Sequence, residues 1–381
     1  MSDRLRRSLR RSPAAVAARR RLAPYLFLVV VFAGCLAGAP AAWAQSSANE
    51  RRWEVEGYGG FMLPTRSGEG AASLPPPGPP IATSSPVFPS RRVPSWFFGD
   101  GASLLNLVNE QFDVPAAIQP LDAALGGSGL SRGNSVAGGV RVRRAVTARF
   151  AAELSVDVFP TAAEPTEELL SAVAASGDSF VAAFEGLLAS GPFTSVDVQA
   201  STSSGGSARE IAVTGALIYP LGPAAGFSPY LTFGGGVITG AGGGAALTLE
   251  GRYRFRILGE VPIDETDRVT IRQESRTALT GVVGAGLRRD VTDRWGVRVD
   301  GRVLIGPRTT RVVIDTDPAV AQGAPADFVE SFTTPSIQFS NNPSTGREST
   351  LGGPPLQGFE AFAAGGLQAR ILITAGVFVR F

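Results

Sequence analysis

From residue 370 to the end of the chain, apolar and polar positions alternate. Ile371, Ile373, Ala375, Val377, Val379 and Phe381 hold one parity without interruption, while Arg370, Thr374, Gly376 and Arg380 share the other with Leu372 and Phe378. A period of two with one uniformly apolar face predicts a strand that sets that face against lipid or a core. The same pattern recurs over 53–61, 136–143, 150–158, 211–219, from Leu231 onward, over 279–287 and over 295–303. With the last segment this makes eight predicted strands, an even number.

The spacing between these segments alternates too. Short connections near 144–149, 220–229 and 290–294 separate long ones near 63–134, 159–207, 240–276 and 306–367. Transmembrane barrels have short periplasmic turns and long extracellular loops, whereas a soluble sandwich has no reason to alternate loop length. Trp53, Phe150, Tyr219, Trp295 and Phe381 fall at the strand ends nearest the short turns, all on the apolar parity. Such rings favour a membrane interface and would form a girdle there. The alternative is ordinary core aromatics of a β-sandwich. The opposite parity carries Glu54, Glu56, Arg141, Arg143, Glu153, Asp157, Arg298, Asp300 and Arg302. A sandwich core would bury these charges at severe cost, while in a barrel lumen they pair or reach water. The prediction is an all-β fold, an eight-stranded antiparallel up-and-down transmembrane β-barrel with long extracellular loops containing short helices.

The segments Trp53 to Phe61, Pro229-Tyr230-Leu231 leading into Gly234-Gly235-Gly236, Trp295 to Arg302, and the ending at Phe381 resemble the small outer-membrane barrels of the OmpA/OmpX/OmpW kind. The resemblance covers residues 52–381 as strands, and the long loops match nothing. It implies that Phe381, an aromatic on the apolar parity, is the signal read by the outer-membrane assembly machinery. The family usually carries an aromatic where this chain has Val379. The resemblance further implies contact with the lipid bilayer and lipopolysaccharide, a monomeric state and a surface partner of unknown kind. No periplasmic peptidoglycan-binding domain follows the last strand, so the tethering role of two-domain members is not implied.

The first fifty residues bear on the compartment. Eight arginines between Arg4 and Arg21, the apolar run 24–32 and Ala42-Trp43-Ala44 make a three-part secretory signal with cleavage after Ala44. Residues 1–44 are therefore expected to be a signal peptide and 45–381 the barrel domain of an outer-membrane protein of a Gram-negative-type envelope. Phe32-Ala33-Gly34-Cys35 offers an alternative, acylation at Cys35. Cleavage after Ala44 removes eight arginines and Asp3, leaving 27 basic against 32 acidic residues and a net charge of −5. The basic pI of the whole chain thus belongs to the signal, and nucleic-acid binding loses its support. No later segment approaches the ~20 apolar residues of a membrane helix, so a membrane-spanning mature chain must close as a barrel.

Histidine is absent, which excludes Ser-His-Asp catalysis and His-containing metal sites. Carboxylate chemistry by Glu54, Glu56 and Glu153 is weaker than lumen ion pairing as an explanation of those residues. The G-x-G spacings over 234–244 lack a βαβ unit, so no dinucleotide site is expected. No catalytic residue, cofactor or metal is therefore expected. Asp264, Glu265 and Asp267, and separately Asp315 and Asp317, read as solvated loop charge, with loose divalent-ion binding as the alternative. Residues 102–108 predict a short helix; Thr166 caps a second at Glu167-Glu168, and Phe180 to Phe184 form a further turn set after Gly177. These helices either cover the barrel mouth or pack as loop cores. The fifth strand's parity continues over 247–257 and returns over 269–276, predicting a hairpin beyond the bilayer that turns near 259–267. Its row of Arg252, Arg254 and Arg256 would face anionic groups such as surface polysaccharide. Alternatively, Arg252, Arg254 and Arg272 pair across the hairpin with Glu250 and Glu274. The expected role is structural or interactive, through large surface loops. The alternatives are a narrow passive channel for small or apolar solutes and a histidine-free enzyme.

Overall fold

The computed structural model describes residues 53–64, 70–81, 90–127, 129–132, 134–147, 149–160, 163–206, 209–223, 226–241, 246–257, 261–320 and 349–381. The signal peptide expected over 1–44, with Cys35, lies outside them. In chain order the main elements begin with strand β1 (Trp53–Pro64), helices α1 (Gly99–Gln111) and α2 (Asp122–Leu125), and strands β2 (Ser135–Ala145) and β3 (Ala151–Phe159). Helix α3 (Glu167–Ala189) precedes β4 (Phe193–Gly205), β5 (Arg209–Pro220), β6 (Ser228–Ala241), β7 (Ala246–Ile257) and β8 (Val261–Ser275). The last strands are β9 (Ala278–Asp290), β10 (Trp295–Thr316) and β11 (Phe359–Arg380).

Strands β1, β2, β3, β5, β6, β9, β10 and β11 pair antiparallel in that order, and β11 returns to β1, closing a ring of eight. The ring follows from the alternation, but with the usual sense of burial inverted. In β3, Glu153, Ser155 and Asp157 point inward and are buried, whereas Leu154, Val156 and Val158 point out and are exposed. Two of the short turns share one construction. Thr147 Oγ1 accepts the Phe150 N–H, and Thr292 Oγ1 accepts the Trp295 N–H, each at 3.0–3.2 Å. Each turn thus ends on a girdle aromatic whose backbone is fixed by the threonine three residues earlier.

At the opposite end, β10 and β11 run on for 22 residues each, about twice the 9–11 that a bilayer requires. Beyond the ring, the end of β10 pairs with β8, β8 with β7, and β7 with β4, so a second sheet grows from the barrel wall. Helix α3 packs on this sheet and α1 packs on α3, around Trp96, Phe97, Phe180, Phe184, Tyr253 and Phe255. The helices therefore form the core of a loop domain.

Four features differ from the sequence expectation. Helix α3, capped by Thr166 accepting the Leu169 N–H at 3.2 Å, runs unbroken through Gly177. Glycine is tolerated there because a Cβ would press within 3.3–3.4 Å of Leu249 and Ala200, so its absence lets the helix lie close on the sheet. This helix is also long and apolar enough to cross a membrane, yet its buried face, including Val173, Phe180 and Phe184, packs into the loop-domain core. Strand β4 was not expected, because its side chains are mostly hydroxyl and small, and only its pairing with β7 makes it a strand. In the hairpin, Ile257 already pairs with Val261, so the return strand begins at Val261 and not after residue 267. That strand consequently includes Asp264, Glu265 and Asp267, and Glu265 and Asp267 are buried rather than solvated.

Candidate functional site

The barrel interior gathers the inward-facing charges. Arg298 donates to Glu56 at 2.9 Å and to Glu153 at 2.6 Å; Arg302 donates to Glu153 at 2.5 Å and to Asp300 at 2.9 Å. Arg141 reaches Asp300 at 3.0 Å, Glu56 at 3.3 Å and Thr374 at 3.0 Å. Three guanidinium groups thus balance three carboxylates, all nearly shut off from solvent. Two tyrosines complete the cluster. Tyr230 donates to Asp300 at 3.1 Å and accepts from Arg298 Nε, while Tyr58 donates to Asp157 and lies under Arg141 at 3.7 Å. Inward glycines make room for these rings: a Cβ at Gly286 would stand 2.1 Å from the Tyr230 hydroxyl, and one at Gly139 2.4 Å from that of Tyr58.

Two further charge layers flank this one. Nearer the short turns, Glu54 accepts from Arg288 at 2.8 Å and Arg380 at 3.0 Å, with Arg143 at 3.8 Å. On the other side comes an apolar layer of Met62, Phe159, Leu304 and Leu372. Above it, Glu210 bridges Arg308 and Arg370, beside a small pocket, partly open to solvent, that Arg276, Leu279 and Pro307 also line.

All nine lumen residues named from the sequence face this interior. Sequence parity placed them on one face but could not choose partners, and the lumen set drawn from it left out Tyr58, Tyr230, Arg288, Thr374 and Arg380, although Thr374 and Arg380 share the polar parity of the last strand. The two tyrosines had a usable signal, because each sits on the polar parity of its strand. As an arrangement, Glu56, Glu153 and Asp300 are held by arginine, while Asp157 accepts from Tyr58 and Ser155. Among the described residues no group of three or more acidic, histidine or cysteine side chains is placed to hold a metal.

Outside the ring, Arg252 forms a two-pronged pair with Asp264, Arg254 bonds Asp197 at 3.2 Å, and Arg256 occupies the next exposed position of the same row. Arg268 bonds Glu250 at 2.8 Å, and Arg272 bonds Asp315 at 2.5 Å as well as Glu274. Asp317 lies 3.1 Å from Arg268. The bonds to Arg252 hold the Asp264 carboxyl below the usual carboxylate range. Phe381 projects outward at the short-turn rim, with its N–H on the Trp53 carbonyl.

The strand pairing and inverted burial define the fold as an eight-stranded up-and-down β-barrel carrying a loop domain. No protein-family model and no curated protein sequence matches the chain. Among solved structures, the outer membrane protein OprG from Pseudomonas aeruginosa is similar at 9% identity and a TM-score of 0.36, over 88% of this chain and 98% of that one. A FadL homologue of the same organism matches at 8% identity and a TM-score of 0.13, over 86% of this chain and 90% of that one. With likenesses this low, the assignment of the fold rests on the strand pairing itself.

Proposed function

We propose that this is an outer-membrane barrel with a structural or surface-interaction role, anchored by the ring and presenting the loop domain to the medium. The supporting observation is the outer face of the ring. Val55, Val140, Leu154, Phe233, Val283 and Ile373 stand exposed there, with Trp53, Phe150, Tyr219 and Trp295 along the short-turn rim. A continuous apolar belt closed by an aromatic girdle suits a bilayer and no aqueous surface. On this reading the short turns, the start of β1 and the end of β11 are periplasmic, the loop domain is extracellular beside lipopolysaccharide, and the signal at 1–44 directs export.

The layer of buried ion pairs across the lumen favours an anchor over a channel, and the arginine-bound Glu56, Glu153 and Asp300 favour a non-catalytic role. The paired state of Arg252 and Arg254 favours a structural task for that row over capture of an anionic partner. Intact cells treated with protease should lose loop-domain segments while the ring remains, and the unheated protein should migrate faster on gels than the boiled one. Failure of either result would sink the placement. In planar bilayers the barrel should show no stable unitary conductance, and a reproducible step would favour the channel instead.

A further inference from the structure

Two carboxyl groups lie in the loop-domain core where the sequence places solvated loop charge. Glu265 and Asp267 face inward from β8, directly opposite Tyr253 and Gly251 of β7. Rings from the first long connection and from α3, Phe97 and Phe180, crowd the face of Gly251 so closely that a Cβ there would stand 2.7–2.8 Å from them. Each carboxyl ties separate parts of the chain together. Asp267 Oδ2 accepts the Ser95 hydroxyl at 2.9 Å and the Trp96 N–H at 2.5 Å, holding the first long connection. Glu265 Oε2 accepts the Tyr253 hydroxyl and, at 2.8 Å, that of Ser349, holding the start of the last described segment.

Every one of these donors is neutral. From β7 the facing titratable group is Tyr253, itself kept protonated by burial and by Glu265. From the first connection come Ser95 and Trp96, from the last Ser349, and from α3 the rings of Phe180 and Phe184. The neighbouring charge on β8 is Asp264, which repels Glu265, while Arg268 turns outward to Glu250 and Asp317. Among the described residues no cation bonds either carboxyl, and Glu265 Oε1 and Asp267 Oδ1 have no hydrogen-bond partner. An ionised carboxylate so placed leaves a buried charge uncompensated.

We propose that Glu265 and Asp267 form a proton-operated clasp, which closes the loop domain while both carboxyls are neutral and loosens it when they ionise. Burial pushes both carboxyls up to about 7, against the partial relief given by their neutral donors. The opened domain, hydrated, returns them to the ordinary carboxylate range near ~4. The clasp's contribution is therefore fully present below about pH 4, declines as pH rises, and is lost once pH passes about 7. The proposal concerns the domain's own packing and holds on whichever side of a membrane the domain lies.

The test is hydrogen–deuterium exchange on the full chain in lipid nanodiscs, corrected for the intrinsic rate. Opening of 95–125, 246–257 and 261–275 should rise about tenfold per pH unit for each proton released between about pH 5 and pH 7, then level off. The ring strands should show no such change. Glu265→Gln and Asp267→Asn should each remove one proton's share of the slope, and the pair together should flatten it. A flat wild-type profile overturns the proposal whether or not the variants fold. A full slope retained in the folded double variant also overturns it.

Discussion

The ring and the loop domain use one rule in opposite senses. Both are built from strands with a period of two, and both have one charged face and one apolar face. In the ring the charges of Glu56, Glu153, Arg298 and Asp300 turn inward and Leu154 turns out. In the β7–β8 hairpin Tyr253 and Phe255 turn inward and Arg252 and Arg254 turn out. Alternation alone thus fixes a strand and its two faces, and the surrounding solvent decides which face is buried. The energetic consequence is equally opposed: an arginine is a structural necessity inside the ring and nearly dispensable on the hairpin.

The largest test of this contrast is Arg298→Glu. It sets a further carboxylate against Glu56, Glu153 and Asp300 without solvent, so a loss of about 3–5 kcal/mol or more is expected. Urea unfolding followed by the gel-mobility shift would measure it, and unchanged stability would mean that the lumen charges are hydrated. Next comes a matched pair of substitutions on exposed leucines. Leu154 on the ring is 55% exposed and Leu170 on α3 is 43% exposed. Leu154→Arg should cost about 2–4 kcal/mol in a bilayer if its surface is lipid. Leu170→Arg, on a wet surface, should stay within about 0.5 kcal/mol. Equal costs for the two would remove the case for a lipid-facing ring.

Deletion of Phe381 comes third. It withdraws one rim aromatic, of order 1–2 kcal/mol of apolar contact, together with the proposed assembly signal. Less folded barrel should reach the outer membrane, while any molecule that folds should keep an intact lumen network. Wild-type levels of folded protein would dismiss the signal. The smallest effect belongs to the hairpin row. Replacing Arg252, Arg254 and Arg256 together by Gln removes charge from an exposed row where water and salt screen the pairs. Stability should barely move, and binding to lipopolysaccharide should be unchanged at low and moderate salt. A loss of binding with a shallower salt dependence would restore an anion-contact role to the row.

Much of this molecule is written locally. The parity of 371–381, the aromatic ends of the strands and the long–short rhythm of connections are properties of neighbouring residues, because strand geometry repeats every two positions. They determine eight strands, their faces and the residues that share a lumen. The cap of Thr166 on α3 is local in the same way. What needed tertiary structure is everything that depends on register between distant segments. Arg298 meets Glu153 and Glu56 across the ring interior, at sequence separations of 145 and 242, and no local pattern selects those carboxylates over Glu54 or Asp157. Strand β4 exists as a strand only because β7 offers it an edge. Glu265 and Asp267 look like loop acids in a polar stretch, and they are buried because β8 pairs with both β7 and the extended β10, which turns their face toward Trp96 and Tyr253. Alternation states which side chains share a face, whereas the closure of sheets and the packing of loops over them decide what that face meets.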